Sequence, residues 1–301
     1  MQKLIVFILI GFFTQLLDGS LGMSAGLSAT SVLLSMGLAP AAASVSIHMA
    51  ELATTAVSGV SHLKFGNIDK PLFKRLIAPG CIGAFVGACL LSYLPGEIIK
   101  PYIAGALLLV GFYILVIYVF GKKSLRIGQG RRGRKEKPLK KSFLYPLALS
   151  AGFLDAIGGG GWGPVNTPVL ISRTRMKPKK VIGSVDASEF AVALSVTLGF
   201  VVGLGLNDVN WEWAASLAIG GMLAAPIAAW VVKVLPSYIL GVLVGGVIIF
   251  ASMRTVLNSS GIIPLSFHDA VYASFITLWF CCGVYVTRNY KKQDHSGQET
   301  N

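Results

Sequence analysis

Apolar residues in this chain fall in long blocks, not in the alternating or amphipathic patterns of a soluble domain. Seven blocks, at about 40–63, 71–94, 98–120, 179–205, 211–233, 236–257 and 269–287, are each close to 20 residues or longer. About 20 apolar residues in a helix cross a hydrocarbon core of roughly 30 Å, so each block predicts a transmembrane helix. Two further stretches, 3–38 and 143–172, are apolar but interrupted. The first is broken at residues 18–26 (DGSLGMSAG). The second is broken by Asp155 and by Gly158, Gly159, Gly160, Gly161 and Gly163, after which the apolar pattern resumes at once.

The interrupted stretches head two related halves. Leu17-Asp18 matches Leu154-Asp155 at a spacing of 137, and Gly22, Gly26, Thr30, Val32, Leu33 and Ser35 match Gly159, Gly163, Thr167, Val169, Leu170 and Ser172 at the same spacing. One residue further out of step, Pro40, Ser46 and Glu51 match Pro178, Ser184 and Glu189, and later Leu94-Pro95 parallels Leu235-Pro236. The order and near-constant offset indicate an internal duplication of the kind frequent in secondary transporters. The division expected is a first repeat over 1–120, a basic loop over 121–141, a second repeat over 142–257, and a C-terminal helix with a polar tail over 258–301.

Loop charges set the orientation of the repeats. The segment MGLAPA is uncharged where its counterpart RTRMKPKK carries Arg173, Arg175, Lys177, Lys179 and Lys180. In the next loop the first half has Lys64, Lys70, Lys74 and Arg75, and the second only Asp208 and Glu212. Under the positive-inside rule equivalent loops then lie on opposite sides, which makes the repeats inverted. The count closes only if each interrupted stretch leaves the membrane on the side it entered, as a hairpin of two partial helices. The rival arrangement, one broken crossing per stretch, gives parallel repeats and leaves the loop charges unexplained. Non-helical backbone at membrane depth needs protein or water around it, so the glycine tips are expected to meet inside the molecule.

Composition agrees and adds exclusions. The 301 residues are 54% hydrophobic and only 13% charged, against about a quarter charged in soluble domains. Ten of the 26 Lys and Arg residues lie in 121–141, so the net charge of +13 reads as a cytoplasmic loop facing anionic headgroups and not as nucleic-acid binding. Cys81, Cys89, Cys281 and Cys282 sit in apolar segments without metal-ligand spacing and read as packing residues. No small-x-small cleavage site follows the first apolar run, which reads as a retained segment. Placement in the cell's inner membrane is expected, with the basic loop and C-terminus cytoplasmic and the N-terminus outside.

The tandem LDGSLGMSAG and LDAIGGGGWG segments, each followed by a proline and then by SVSIHMAEL or GSVDASEF, resemble the TauE/SafE sulfite exporter family. The resemblance covers essentially the whole chain. It implies a bacterial inner-membrane carrier of sulfite, sulfonates or related organic acids. The first tip departs from the glycine-rich pattern, with Ser20, Leu21, Met23 and Ser24 where the second has Ile157, Gly158, Gly160 and Gly161.

A glycine break that opens a helix presents backbone N–H groups and the positive end of a helix dipole to an anion, with no Cβ in the way. Gly160, Gly161 and Gly163, just ahead of Pro164 at a plausible first helical position, are the candidate contacts. Ser24 and Ser28 would add donors from the first tip, and Asn166 and Thr167 from the second. The competing reading is that the glycines only allow a tight turn and close helix packing.

Asp18, Glu51, Asp155, Asp186 and Glu189 lie within apolar segments, where an unpaired charge costs several kcal/mol. Glu51 and Glu189 fall roughly 16 Å along their helices at about 1.5 Å per residue, near mid-depth; His48 and Asp186 precede them by one helical turn. These acids either stabilise structure or carry a proton with the substrate, and for Asp18 and Asp155 helix or turn capping competes with function. His48 reads as an interhelical donor or a pH sensor, and Trp162 as a gate or as filling beside the glycines. The leading function is a secondary transporter of a small sulfur-containing anion, with no cofactor, no metal and a homo-oligomer as an option. The absence of a Walker motif argues against ATP hydrolysis. A cation carrier using the buried carboxylates is the alternative, and an intramembrane enzyme is disfavoured by the lack of GxSxG or HExxH.

Overall fold

The computed structural model describes residues 2–20, 26–120, 139–173, 176, 178–205, 210–234, 237–260 and 264–298. Among them there is no strand. Eleven α-helices follow in order: α1 Gln2–Ser20, α2 Gly26–Ser35, α3 Pro40–Lys64, α4 Lys70–Tyr93, α5 Gly96–Phe120, α6 Lys141–Gly158, α7 Trp162–Arg173, α8 Pro178–Leu204, α9 Trp211–Val234, α10 Ser237–Ser260 and α11 His268–Gln298. The chain is an all-α membrane protein, because lipid leaves backbone N–H and C=O groups no partner outside a helix.

Five of the helical segments, Lys70–Tyr93, Gly96–Val116, Lys180–Leu204, Gly241–Asn258 and Leu265–Arg288, are long and apolar enough to cross a membrane by length and composition. Helix α3 is as long but less apolar, because Ser44, Ser46, His48, Glu51 and Thr55 are turned inward and buried. The two interrupted stretches become α1 with α2 and α6 with α7, so both breaks fall where the glycines and aspartates predict.

Helix pairing follows the duplication. Helix α1 packs along α9 and α6 along α4; α3 packs on α9 and α8 on α4; α3 meets α8, and α5 meets α10. Small residues let these backbones approach closely. A methyl group on Gly11 or Gly220 would strike the facing backbone across the α1–α9 contact, and one on Gly83 or Gly152 would do so across α4–α6. Phe7 stacks on Trp213, ring centroids 5.1 Å apart, at the start of α1 and α9.

The contacts also fix relative direction. Leu149 lies against Gly83, and Phe153 and Ala156 against Gly87, so α6 and α4 run parallel. Cys81 bonds to the Ala191 carbonyl and Cys89 to that of Gly199, so α4 and α8 run parallel too. Lys141 and Pro178 therefore start from the same end of the bundle, and the α6–α7 segment goes in and comes back. Equivalent helices meet head to tail: Ser58 and Gly59 face Asp186 and Ala187 while His62 faces Gly183, and Gly111 faces Ile248 and Ile249 while Leu115 faces Gly245.

Basic segments gather at the end where α3 finishes and α8 begins. Lys180 Nζ donates to the Ile68 carbonyl at 3.0 Å, and Arg75 reaches the Leu139 carbonyl at 3.5 Å. Asp69 caps α4 by accepting the Leu72 N–H at 2.8 Å, while its own N–H donates to Ser184 Oγ at 2.7 Å. The basic 121–138 stretch lies outside the described residues.

Candidate functional site

The two breaks meet where the halves join. Gly26, which opens α2, lies so close to the Gly159 carbonyl that a Cβ there would overlap it, and a Cβ on Gly160 would run into the Leu27 backbone. Gly159 adopts φ +69°, the left-handed turn that ends α6, and its N–H closes onto the Asp155 carbonyl at 2.7 Å. A Cβ on Gly161 would come within 2.6 Å of the Asp155 nitrogen. Glycine is thus required here by backbone-to-backbone contact.

Helix α7 opens at Trp162, two residues earlier than Pro164 suggests, and Pro164 occupies its first turn, where a missing N–H costs no intrahelical bond. The early start comes from Asp155, whose Oδ1 accepts the Trp162 N–H at 2.9 Å. That side chain does two jobs, since Oδ2 lies 3.2 Å from His48 Nε2 on α3 of the other half. His48 Nδ1 faces the Ser44 carbonyl at 2.8 Å. A carbonyl only accepts, so Nδ1 carries a proton and the His48–Asp155 contact must hold another, on Nε2 or on Oδ2. Ser44 Oγ completes the set by donating to the Ala156 carbonyl at 2.6 Å. All three side chains are fully buried.

Glu51 stands beside this pair, its Oε2 3.9 Å from His48 Nε2. It also lines a cavity of about 20 Å³ between α1, α3 and α9, together with Thr14, Gln15, Thr54 and Gly221. Room of this size holds about one water molecule. Among the described residues no group of three His, Cys, Asp or Glu side chains is arranged to hold a metal ion.

The other sequence candidates are distributed around this centre. Ser28, Gly163 and Glu189 are buried, and Thr167 is partly so. Asn166 donates Nδ2 to the Trp162 carbonyl at 3.0 Å, and among the described residues neither its Oδ1 nor Thr30 Oγ1, beside the Gly159 turn, has a partner. Trp162 is fully buried, its indole N–H shared between the Val185 carbonyl at 3.0 Å and Ser188 Oγ at 3.2 Å. Asp186 is separate from the tips: its Oδ2 accepts from Ser58 Oγ at 2.6 Å and lies 3.5 Å from His62 Nε2. Ser24 and the Asp18 side chain lie outside the described residues. Sequence reasoning passed over Ser44, Ser58 and Thr30; Ser44, one helical turn before His48, was the one with a readable spacing.

Comparison with known proteins places this geometry. The family model described as "Sulfite exporter TauE/SafE" matches residues 7–255, a span that holds both tips and the His48–Asp155 pair. The chain is 50% identical over 286 residues to a "Probable membrane transporter protein YtnM" of Bacillus subtilis (strain 168), covering 95% of this chain and 93% of that one. It is 22% identical over 193 residues to a "Probable membrane transporter protein YdhB" of the same organism, covering 64% of this chain and 75% of that one. No solved structure matches it significantly. The family match over residues 7–255 and the relative that is 50% identical across 95% of the chain show that the chain belongs to the sulfite exporter TauE/SafE family of membrane transporters.

Proposed function

We propose that the protein is a secondary transporter of a small sulfur-containing anion such as sulfite or a sulfonate, working at the junction of two inverted repeats. The observation that carries this reading is the meeting of the two glycine breaks, Gly26 with Gly159, inside the span that the family match covers. The family's description supplies the substrate class. The head-to-tail contacts of α3 with α8 and of α5 with α10 support the inverted arrangement, in which one half rocks against the other around a central site.

Charge placement supports the orientation. The loops carrying Lys70, Lys74, Arg75 and Lys180 share one end of the bundle, which the positive-inside rule assigns to the cytoplasm, with the N-terminus opposite. The anionic headgroups of that leaflet are then the partners of the basic loop.

In this conformation Leu27 and the Leu154–Asp155 backbone close over Gly160 and Gly161. Substrate access to Gly160 then requires the two tips to part, which would place Thr30 Oγ1, Ser28, Asn166 and Thr167 beside an anion. Purified protein in liposomes tests the reading. Sulfite or a sulfonate should move faster than through protein-free vesicles; movement of metal ions in place of any such anion, abolished by Glu189→Gln, would favour the cation reading.

A further inference from the structure

The cavity beside Glu51 and the indole of Trp162 occupy equivalent places in the two halves. Adding the repeat spacings, 137 for α1 and 138 for α3, carries Gln15 to Gly152, Ile47 to Val185, Ala50 to Ser188 and Thr54 to Val192, and subtracting 141 carries Gly221 of α9 to Gly80 of α4. Gln15 of α1, Ile47, Ala50 and Thr54 of α3 and Gly221 of α9 line the cavity. Four of the equivalent positions, Val185, Ser188 and Val192 of α8 and Gly80 of α4, gather at the indole. Val185 and Ser188 accept its N–H, and the ring lies against Gly80 next to Val192. The sequence position equivalent to Trp162 is Ala25, which lies outside the described residues.

Glu51 and Glu189 are themselves equivalent: Glu51 lines the cavity, whereas the residue before Glu189, Ser188, accepts the indole N–H. From Glu51 the path continues inward. His48 Nε2 stands 3.9 Å from Glu51 Oε2 and 3.2 Å from Asp155 Oδ2, between a carboxylate of each half. Among the described residues no other titratable side chain lines the cavity: α1 contributes Gly11, Thr14 and Gln15, α2 Ala29, and α9 Leu217 and Gly221. The space admits a water or a hydronium and is too small for sulfite.

We propose that Glu51 is the loading site for a coupling proton, reached by water through the cavity between α1, α3 and α9, and that the Trp162 indole closes the equivalent route to Glu189, so that protons enter beside α3 and not beside α8. The proposal rests on the transporter reading and adds the coupling ion and its route. A hydronium gives its proton to a Glu51 oxygen and leaves as water. With His48 Nδ1–H fixed by the Ser44 carbonyl, one proton at Nε2 and two ionised carboxylates leave the trio at −1, and loading Glu51 brings it to neutrality. His48 Nε2 then stands in reach to pass a proton to Asp155, whose other oxygen holds the second tip.

Infrared difference spectra of the purified protein between acidic and alkaline buffer test this without a known substrate. The wild type should show a titrating protonated-carboxyl band that Glu51→Gln removes and Glu189→Gln retains. Trp162→Ala should add a second titrating band, absent from the Trp162→Ala/Glu189→Gln double variant, while Trp162→Phe, which keeps most of the bulk, should not. Loss of the wild-type band in Glu189→Gln, or its survival in Glu51→Gln, overturns the proposal, and this pair does not depend on how the Trp162 variants fold. A band that responds to sodium at fixed pH also overturns it, by making the cavity a sodium site. Failure of every anion to cross in liposomes would instead strike the transport reading and leave these spectra unaffected.

Discussion

Gly80 and Gly221 sit at matching positions of α4 and α9, but their surroundings differ. A methyl group on Gly80 would strike the Trp162 ring, whereas one on Gly221 would meet Thr54 Cγ2 at 3.2 Å and Gln15 Cβ at 3.8 Å. A second pair diverges in charge. His48 crosses to Asp155 of the second half, while its equivalent Asp186 crosses to Ser58 and His62 of the first. The duplicated backbone fixes which helices touch. A few side chains at equivalent places then decide where a cavity is left beside Glu51 and where the Trp162 ring fills the space.

The largest effect should come from emptying the packed place. Trp162→Ala removes a buried ring and the N–H that donates to the Val185 carbonyl and Ser188 Oγ, an expected loss of about 3–5 kcal/mol that thermal unfolding in a fixed detergent would register as a much lower midpoint. A near-wild-type midpoint would mean that the indole is not holding the second half together.

Next in size is the polar contact of Asp186. Ser58→Ala leaves a carboxylate without its hydroxyl donor, expected to cost about 1.5–3 kcal/mol in the same melt, with Ser58→Thr recovering part of it.

The glycine pair then sharpens the comparison directly. Gly80→Ala should cost about 1–3 kcal/mol by overpacking against the indole, and placing it in the Trp162→Ala background should relieve much of that penalty. Gly221→Ala should perturb stability less, since it projects into the cavity beside Glu51. As the smallest change, Gly105→Ala in α5, where nothing lies within 4 Å of the added methyl, should stabilise by about 0.5–1 kcal/mol. Equal costs for Gly80→Ala and Gly221→Ala would break the comparison.

Much of this architecture is legible in the sequence because lipid permits few solutions. Block length gives the helices, and the runs around Asp18 and around Asp155 give the breaks. The matched Glu51 and Glu189 reveal the duplication. Partnership is harder to read. The spacing of His48 and Glu51 shows that they share a helix face, but not that the face meets Asp155, 107 residues away. The start of α7 was misplaced for a related reason. Its cap is supplied by Asp155 at the end of the preceding helix, seven residues back, so no capping residue stands immediately before Trp162. The role of Trp162 could not be seen without knowing that Gly80, Val185 and Ser188 surround one place.

Anion flux measured in proteoliposomes tests the central claim most directly. Wild-type protein should release trapped sulfite or a sulfonate faster than protein-free vesicles do, and Asp155→Asn, which unsettles both the Trp162 N–H cap and the His48 contact, should slow that release at least tenfold, equivalent to about 1.4 kcal/mol. Release no faster than from protein-free vesicles for every anion offered, or full activity in Asp155→Asn, would contradict the account.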